Sequence, residues 1–184
     1  MVGLFLMSEG SGSTDKNVVN GQLANFSGSN PPTWNAVDPS TVFHGGANFN
    51  TSYLDAGTGL TFDRLPNSRM TVVAKIFVNT VAGAGIAQKI NSSVGSGFIF
   101  DITSQGQLRT QILKTSIPVQ LISQPGTITS GQWMQVALTW DGTIGTGAAA
   151  HLYLNGNLLS PSSSADGSGT LDYTPLPISH FRLG

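Results

Sequence analysis

The 184-residue sequence has no cysteine, one glutamate (Glu9) and few charges of either sign, with Asp, Glu, Lys and Arg together making up 9%. Without cysteine, neither a disulfide framework nor a thiolate zinc site can form, and the fold must hold by burial alone. The formal net charge is −1. The Lys/Arg surplus that displaces counterions from a nucleic acid backbone is therefore missing, and nucleic acid is not an expected partner. Long apolar runs are also missing. The longest early one, Val2 to Met7, falls far short of the roughly 20 residues of a membrane span, and it lacks the basic flank and cleavage region of an export signal. No membrane insertion is expected. The chain either begins inside a longer one or belongs to a protein that reaches its destination without conventional secretion. No window keeps helical spacing for three turns.

What is abundant is turn chemistry. There are 23 glycines, with many Ser, Thr and Asn residues, and 39% of the chain is hydrophobic. This is the composition of many short strands joined by tight turns around one sizeable core, so a single domain over 1–184 is expected. In residues 133–140, Met134, Val136, Leu138 and Trp140 alternate with Trp133, Gln135, Ala137 and Thr139, the period of a half-buried strand. Beyond it, His151 to Leu154 and Asn157 to Ser160 flank Asn155-Gly156, the two positive-φ residues of a type I′ hairpin turn. Residues 70–79 are β-branched and apolar on nearly both faces, which predicts an interior strand. Gln107 to Leu113 alternates as a strand with one wet face, preceded by Phe98 to Thr103. Shorter strands are predicted at Val2 to Met7, Gly21 to Phe26, Ala47 to Phe49, Tyr53 to Asp55, Ile86 to Ile90, Val119 to Ser123 and Ile178 to Leu183. The economical architecture is an all-β, two-sheet antiparallel β-sandwich.

Five segments, in order, carry a family resemblance: Gly3 to Gly12 with its Glu-Gly-Ser-Gly turn, followed by Asn20 to Leu23; Phe43 to Phe49 with Tyr53; Met70 to Lys75; Gly131 to Gly142, holding Gly-Gln-Trp and a closing Asp-Gly; and Leu152 to Gly156. Together they resemble the laminin G-like jelly-roll domains of the concanavalin A-like lectin/glucanase superfamily. The resemblance implies a jelly-roll sandwich and a recognition role. Lys75 departs from the family, which has an aromatic near that place. Such domains also continue past Arg182 to Gly184 into a last strand bearing an acidic pair. Its partner would be the first strand, so truncation, or a homo-oligomer formed through an open sheet edge, is expected here.

Glycoside hydrolases on this fold need an acid and a nucleophile about 5 Å apart. With one Glu, and with Asp15, Asp38, Asp55, Asp63, Asp101, Asp141, Asp166 and Asp172 scattered, no such pair is visible and no enzyme is expected. His44, His151 and His180 show no metal-ligand spacing, although a triad assembled from distant residues stays open. Trp34, after Pro31-Pro32-Thr33, is a candidate for stacking on a sugar ring, with packing under its own loop as the rival reading. Tyr173 is a candidate by its loop position. His151, which alternates with apolar neighbours, is read as a solvent-facing or wall-lining imidazole rather than a catalytic one, and is a ligand-binding candidate. Trp133 and Trp140 fall where the family has structural aromatics and are read as core. The resemblance also implies a Ca²⁺ site near Asp15 and Asn20, since hard oxygen donors suit that ion.

The expected function is a non-catalytic recognition module, binding a glycan or glycoprotein in an extracellular, virion or cell-surface setting. The rivals are a structural or assembly subunit and a polysaccharide-active hydrolase or lyase.

Overall fold

The computed structural model describes residues 3–7, 11–28, 32–35, 46–49, 51–58, 69–91, 96–143, 147–169 and 179–184. They divide into two compact units, Met1–Phe62 with His180–Gly184, and Asp63–Ser179.

In the first unit, β1 (Thr14–Lys16), β2 (Leu23–Gly28) and β5 (Ser52–Asp55) pair antiparallel in that order, with β15 (Phe181–Leu183) on the far side of β5. A separate ladder joins β3 (Thr33–Asn35) to β4 (Gly46–Asn48). Alternation along β5 buries Ser52 and Leu54 and leaves Tyr53 and Asp55 half-buried. The strand expected at Val2 to Met7 is corrected: among the described residues 3–7, Phe5 makes one isolated bridge, to Asn17. Two local causes are visible. Met7 has φ 52°, which ends any extended run, and the Asn17 side chain, rather than a ladder partner, accepts the Leu4 N–H at 3.1 Å.

The second unit is built from two antiparallel layers. One runs β7 (Ala84–Asn91), β8 (Ser96–Ile102), β9 (Leu108–Leu113), β10 (Val119–Ser123) and β14 (Pro161–Ala165). The other runs β6 (Met70–Phe77), β11 (Trp133–Trp140), β12 (Ala150–Leu154) and β13 (Asn157–Leu158), with one 3₁₀ turn, Gly147–Ala149, entering β12. Strand alternation sends Phe98, Phe100, Leu108, Ile112, Val119 and Leu121 inward from the first layer. Met134, Val136, Leu138, Trp140, Leu152 and Met70 come inward from the second, and all twelve are buried. These are two sheets closing a largely apolar core between them.

The β12–β13 hairpin forms as its sequence predicts, with Asn155 at φ 49° and Gly156 at φ 80°. Gly97 is a second position where glycine is required. A Cβ there would lie 1.9 Å from the Lys89 carbonyl oxygen, at a φ of 120°.

Two further expectations are corrected. Residues 70–79 do not form an interior strand: β6 ends its sheet among the described residues, and Thr71, Val73, Lys75 and Phe77 face solvent. Its apolar content reflects an exposed apolar face, not two buried ones. Trp133 is not core either, being 38% exposed where Trp140 is 2%.

Candidate functional site

The register of the four-stranded sheet fixes what its outer face presents. Cross-strand pairs place Phe77 beside Trp133, Lys75 beside Gln135, Ala137 between Val73 and Tyr153, and Thr139 between Thr71 and His151. Leu158 continues the row of Tyr153. The face is graded. At the Trp133 end, the Phe77 and Trp133 rings meet edge to face with centroids 5.6 Å apart, and the Lys75 ammonium lies 5.3 Å from the indole centroid. Toward the middle, His151 and Tyr153 lie side by side along β12 with ring centroids at 6.5 Å.

At the opposite end, where β6 begins and β11 finishes, lies a cleft of about 340 Å³ lined by Arg69, Thr71, Thr139, Asp141 and His151 over a floor of Met70, Trp140 and Ala149. The cleft is open to solvent, a depression on the sheet face rather than an enclosed cavity. Its lining mixes an apolar floor with convergent polar groups of both donor and acceptor character. Asp141 is held ionised: its carboxyl titrates below its ordinary value because the Thr143 backbone N–H and then the Thr143 side chain bond to it, with smaller contributions from the positive charge of Arg69 and from His151. The Thr143 N–H lies 2.7 Å from Asp141 Oδ1.

Of the residues singled out in the sequence, His151 is in this cleft. Trp34 is half-buried on β3 in the first unit; its Nε1–H donates to the Gly12 carbonyl at 3.2 Å, and Phe26 meets it edge to face at 5.4 Å. Tyr173 lies outside the described residues. Asp15 is 1% exposed, with Oδ1 accepting the Lys16 N–H at 2.9 Å and Oδ2 accepting the Met7 N–H at 3.3 Å. Asn20 is exposed in a turn, its side-chain oxygen accepting the Gln22 N–H at 3.0 Å. The two side chains supply at most three of the six or more oxygens that Ca²⁺ takes. Among the described residues, no group of three or more His, Cys, Asp or Glu could hold a metal ion.

A His–Asp pair does form elsewhere, His180 Nδ1 lying 2.7 Å from Asp55 Oδ1. The serine of the same strand, Ser52, points to the other face of β5 by alternation, away from this pair. Arg69 and Asp141 were missed in the sequence as site residues. They reach His151 only through the pairing of Trp140 with Met70 and of Thr139 with His151, contacts that no local pattern announces.

The chain belongs to the concanavalin A-like lectin/glucanases superfamily, whose family model matches residues 50–179. Its fold class is accordingly the all-β, antiparallel jelly-roll sandwich. No curated protein sequence matches it. Among solved structures, it is similar to the CBM40 of Ruminococcus gnavus IT-sialidase at 17% identity, covering 64% of each chain with a TM-score of 0.49. It is also similar to a native heptameric SAP-like pentraxin from Limulus polyphemus at 20% identity, covering 64% of this chain and 50% of that one, TM-score 0.40. A third likeness is to an endo-β-1,4-glucuronan lyase from the fungus Trichoderma reesei at 17% identity, covering 86% and 77%, TM-score 0.43. The chain thus spans 64% of the CBM40 chain's length. At such identities and TM-scores, none of these likenesses carries functional weight.

Proposed function

We propose that this chain is a carbohydrate-recognition module that binds a glycan along the outer face of its four-stranded sheet and has no catalytic role. The observation that carries the reading is the continuity of that face. An exposed Phe77–Trp133 pair stands at one end of β11, and a hydroxyl-, imidazole-, guanidinium- and carboxylate-lined cleft at the other. From Trp133 to Thr139 is six residues along β11, about 20 Å at the rise of a strand, enough for several linked sugar rings. Indole and phenyl faces suit the apolar faces of pyranoses, while the polar groups suit their hydroxyls. Among the described residues of this face, Asp141 is the lone carboxylate. Hydrolysis of a glycoside would call for a second one, about 5 Å away in a retaining enzyme. An extracellular, virion or cell-surface setting accords with such a module.

The test is a glycan array of the purified protein, repeated with Trp133→Ala and His151→Ala and paired with solution mass. Binding that is weakened roughly tenfold or more in both variants supports the reading. Turnover of a bound polysaccharide overturns its non-catalytic part.

A second reading, an assembly subunit, is favoured by the exposure of Val73 (57%) and Leu158 (60%) on the same face. A stable oligomer that dissociates in Val73→Asp, with no glycan bound by either form, supports that alternative.

A further inference from the structure

The geometry points to a neutral sugar with two adjacent free hydroxyls, a vicinal diol, as the ligand of the cleft, held between Asp141 and Arg69 and preferred over sugars that carry an acid or an ammonium there. The inference rests on the glycan reading above and names the chemistry that the cleft end of the face selects. Strand register builds the pair. β11 and β6 pair Thr139 with Thr71 and Trp140 with Met70, so Asp141 and Arg69 are the next residues in the same antiparallel sense at the end of the sheet. The period of two turns Trp140 and Met70 inward as the floor. It leaves Asp141 and Arg69 exposed, on the side of Thr139, Thr71 and His151.

The two charges act on each other without joining across the cleft. The charge of Arg69 favours the ionised form of Asp141, yet among the described residues the direct ion pairs are Arg109 with Asp101 and His180 with Asp55. Thr143 fixes the carboxylate, its N–H lying 2.7 Å from Asp141 Oδ1. A carboxylate offers about four lone-pair sites, so acceptor capacity is left for a ligand. An acceptor-only carboxylate and a donor-only guanidinium, set apart, match a ligand that donates from one atom and accepts at its neighbour. Adjacent hydroxyls do this: one O–H donates to Asp141, while the oxygen beside it accepts from Arg69. An acid group gains from Arg69 but is repelled by Asp141, and an ammonium the reverse, so neither improves on the hydroxyl it replaces.

The experiment uses the whole chain. Neutral trisaccharides of glucose, mannose and galactose, with the neutral glycans of the array, are ranked by calorimetry. The hydroxyls of the tightest binder are then changed one at a time: removed, replaced by an amine, or sulfated. The expected result is a pair of adjacent positions where removal weakens binding roughly tenfold each, as for one charge-assisted hydrogen bond, and where neither amine nor sulfate restores it. Asp141→Asn and Arg69→Gln, checked for an intact fold by circular dichroism, each weaken the parent sugar by a similar factor. Asp141→Asn then adds nothing to the loss in one of the two deoxy sugars, and Arg69→Gln nothing in the other, because each variant removes a contact already gone. Asp141→Asn also binds the sulfated analogue more tightly than the parent protein does. A protein that binds only charged glycans, critical hydroxyls that are not adjacent, variants that keep full affinity, or variants that weaken parent and deoxy sugars equally all overturn the diol clamp and leave glycan recognition standing. If no glycan binds at all, the glycan reading itself fails, and the clamp fails with it.

Discussion

Trp133 and Trp140 open and close the same strand, yet one is 38% exposed and the other 2%. They are seven positions apart, an odd number, so the period of two in a strand turns them to opposite faces. Trp140 shares its face with Met134, Val136 and Leu138, all buried against the opposing sheet. Trp133 shares its face with Gln135, Ala137 and Thr139, in register with Phe77, Lys75 and His151. One strand therefore carries stability on one side and the proposed recognition face on the other, and the two roles are separable by mutation.

The largest effect expected is on the inner side. Trp140→Ala empties a fully packed volume and lowers unfolding free energy by about 3–5 kcal/mol, whereas Trp133→Ala changes it by less than about 1 kcal/mol in denaturant melts. Equal losses would erase the distinction between the faces. On the outer side, His151→Ala, which strips one polar wall from the cleft while Leu152 stays buried, is expected to weaken glycan binding roughly tenfold with an unchanged melting curve. A more modest effect concerns the register itself. Gly156 at φ 80° closes the β12–β13 hairpin, and Gly156→Ala costs about 1 kcal/mol through left-handed strain. A loss several-fold greater would mean that the pairing of β13 with β12 depends on that turn.

The smallest effect is the pH response of Asp141. Its folded-state pKa lies below the ordinary 3.8, so it contributes stability that is fully present above that value and is lost as pH falls through the depressed one. Asp141→Asn removes this contribution, and the stability curves of variant and parent are expected to converge in strong acid. Divergence there would mean that Thr143 does not hold the carboxylate.

The same contrast explains what the sequence disclosed. The inner row of β11 and the Asn155-Gly156 turn were legible because alternation and turn chemistry are local. β6 was misread as interior because Val73 and Phe77 are apolar on a solvent-facing side, and alternation cannot tell an exposed apolar face from a buried one. β14, Pro161–Ala165, has no apolar face to betray it: it is an edge strand held by its ladder to β10 and by the Ser162 hydroxyl on the Ser123 carbonyl at 2.7 Å. Of the site, His151 was visible as a polar residue on an amphipathic strand, and Trp133 was visible but assigned to the core. Arg69 and Asp141 were not legible, since only the long-range pairing of β6 with β11 brings them together.

The most direct test of glycan recognition on this face is the indole N–H spectrum. The chain has three tryptophans, and single Trp→Phe variants assign their cross-peaks. On titration with a glycan identified by the array, the account predicts that the Trp133 cross-peak moves in step with binding, while Trp140 follows only weakly and Trp34 stays in place. Saturable binding with Trp133 unmoved, and shifts instead in the side-chain amides of Gln111 and Gln120 on the outer row of the five-stranded sheet, would contradict it.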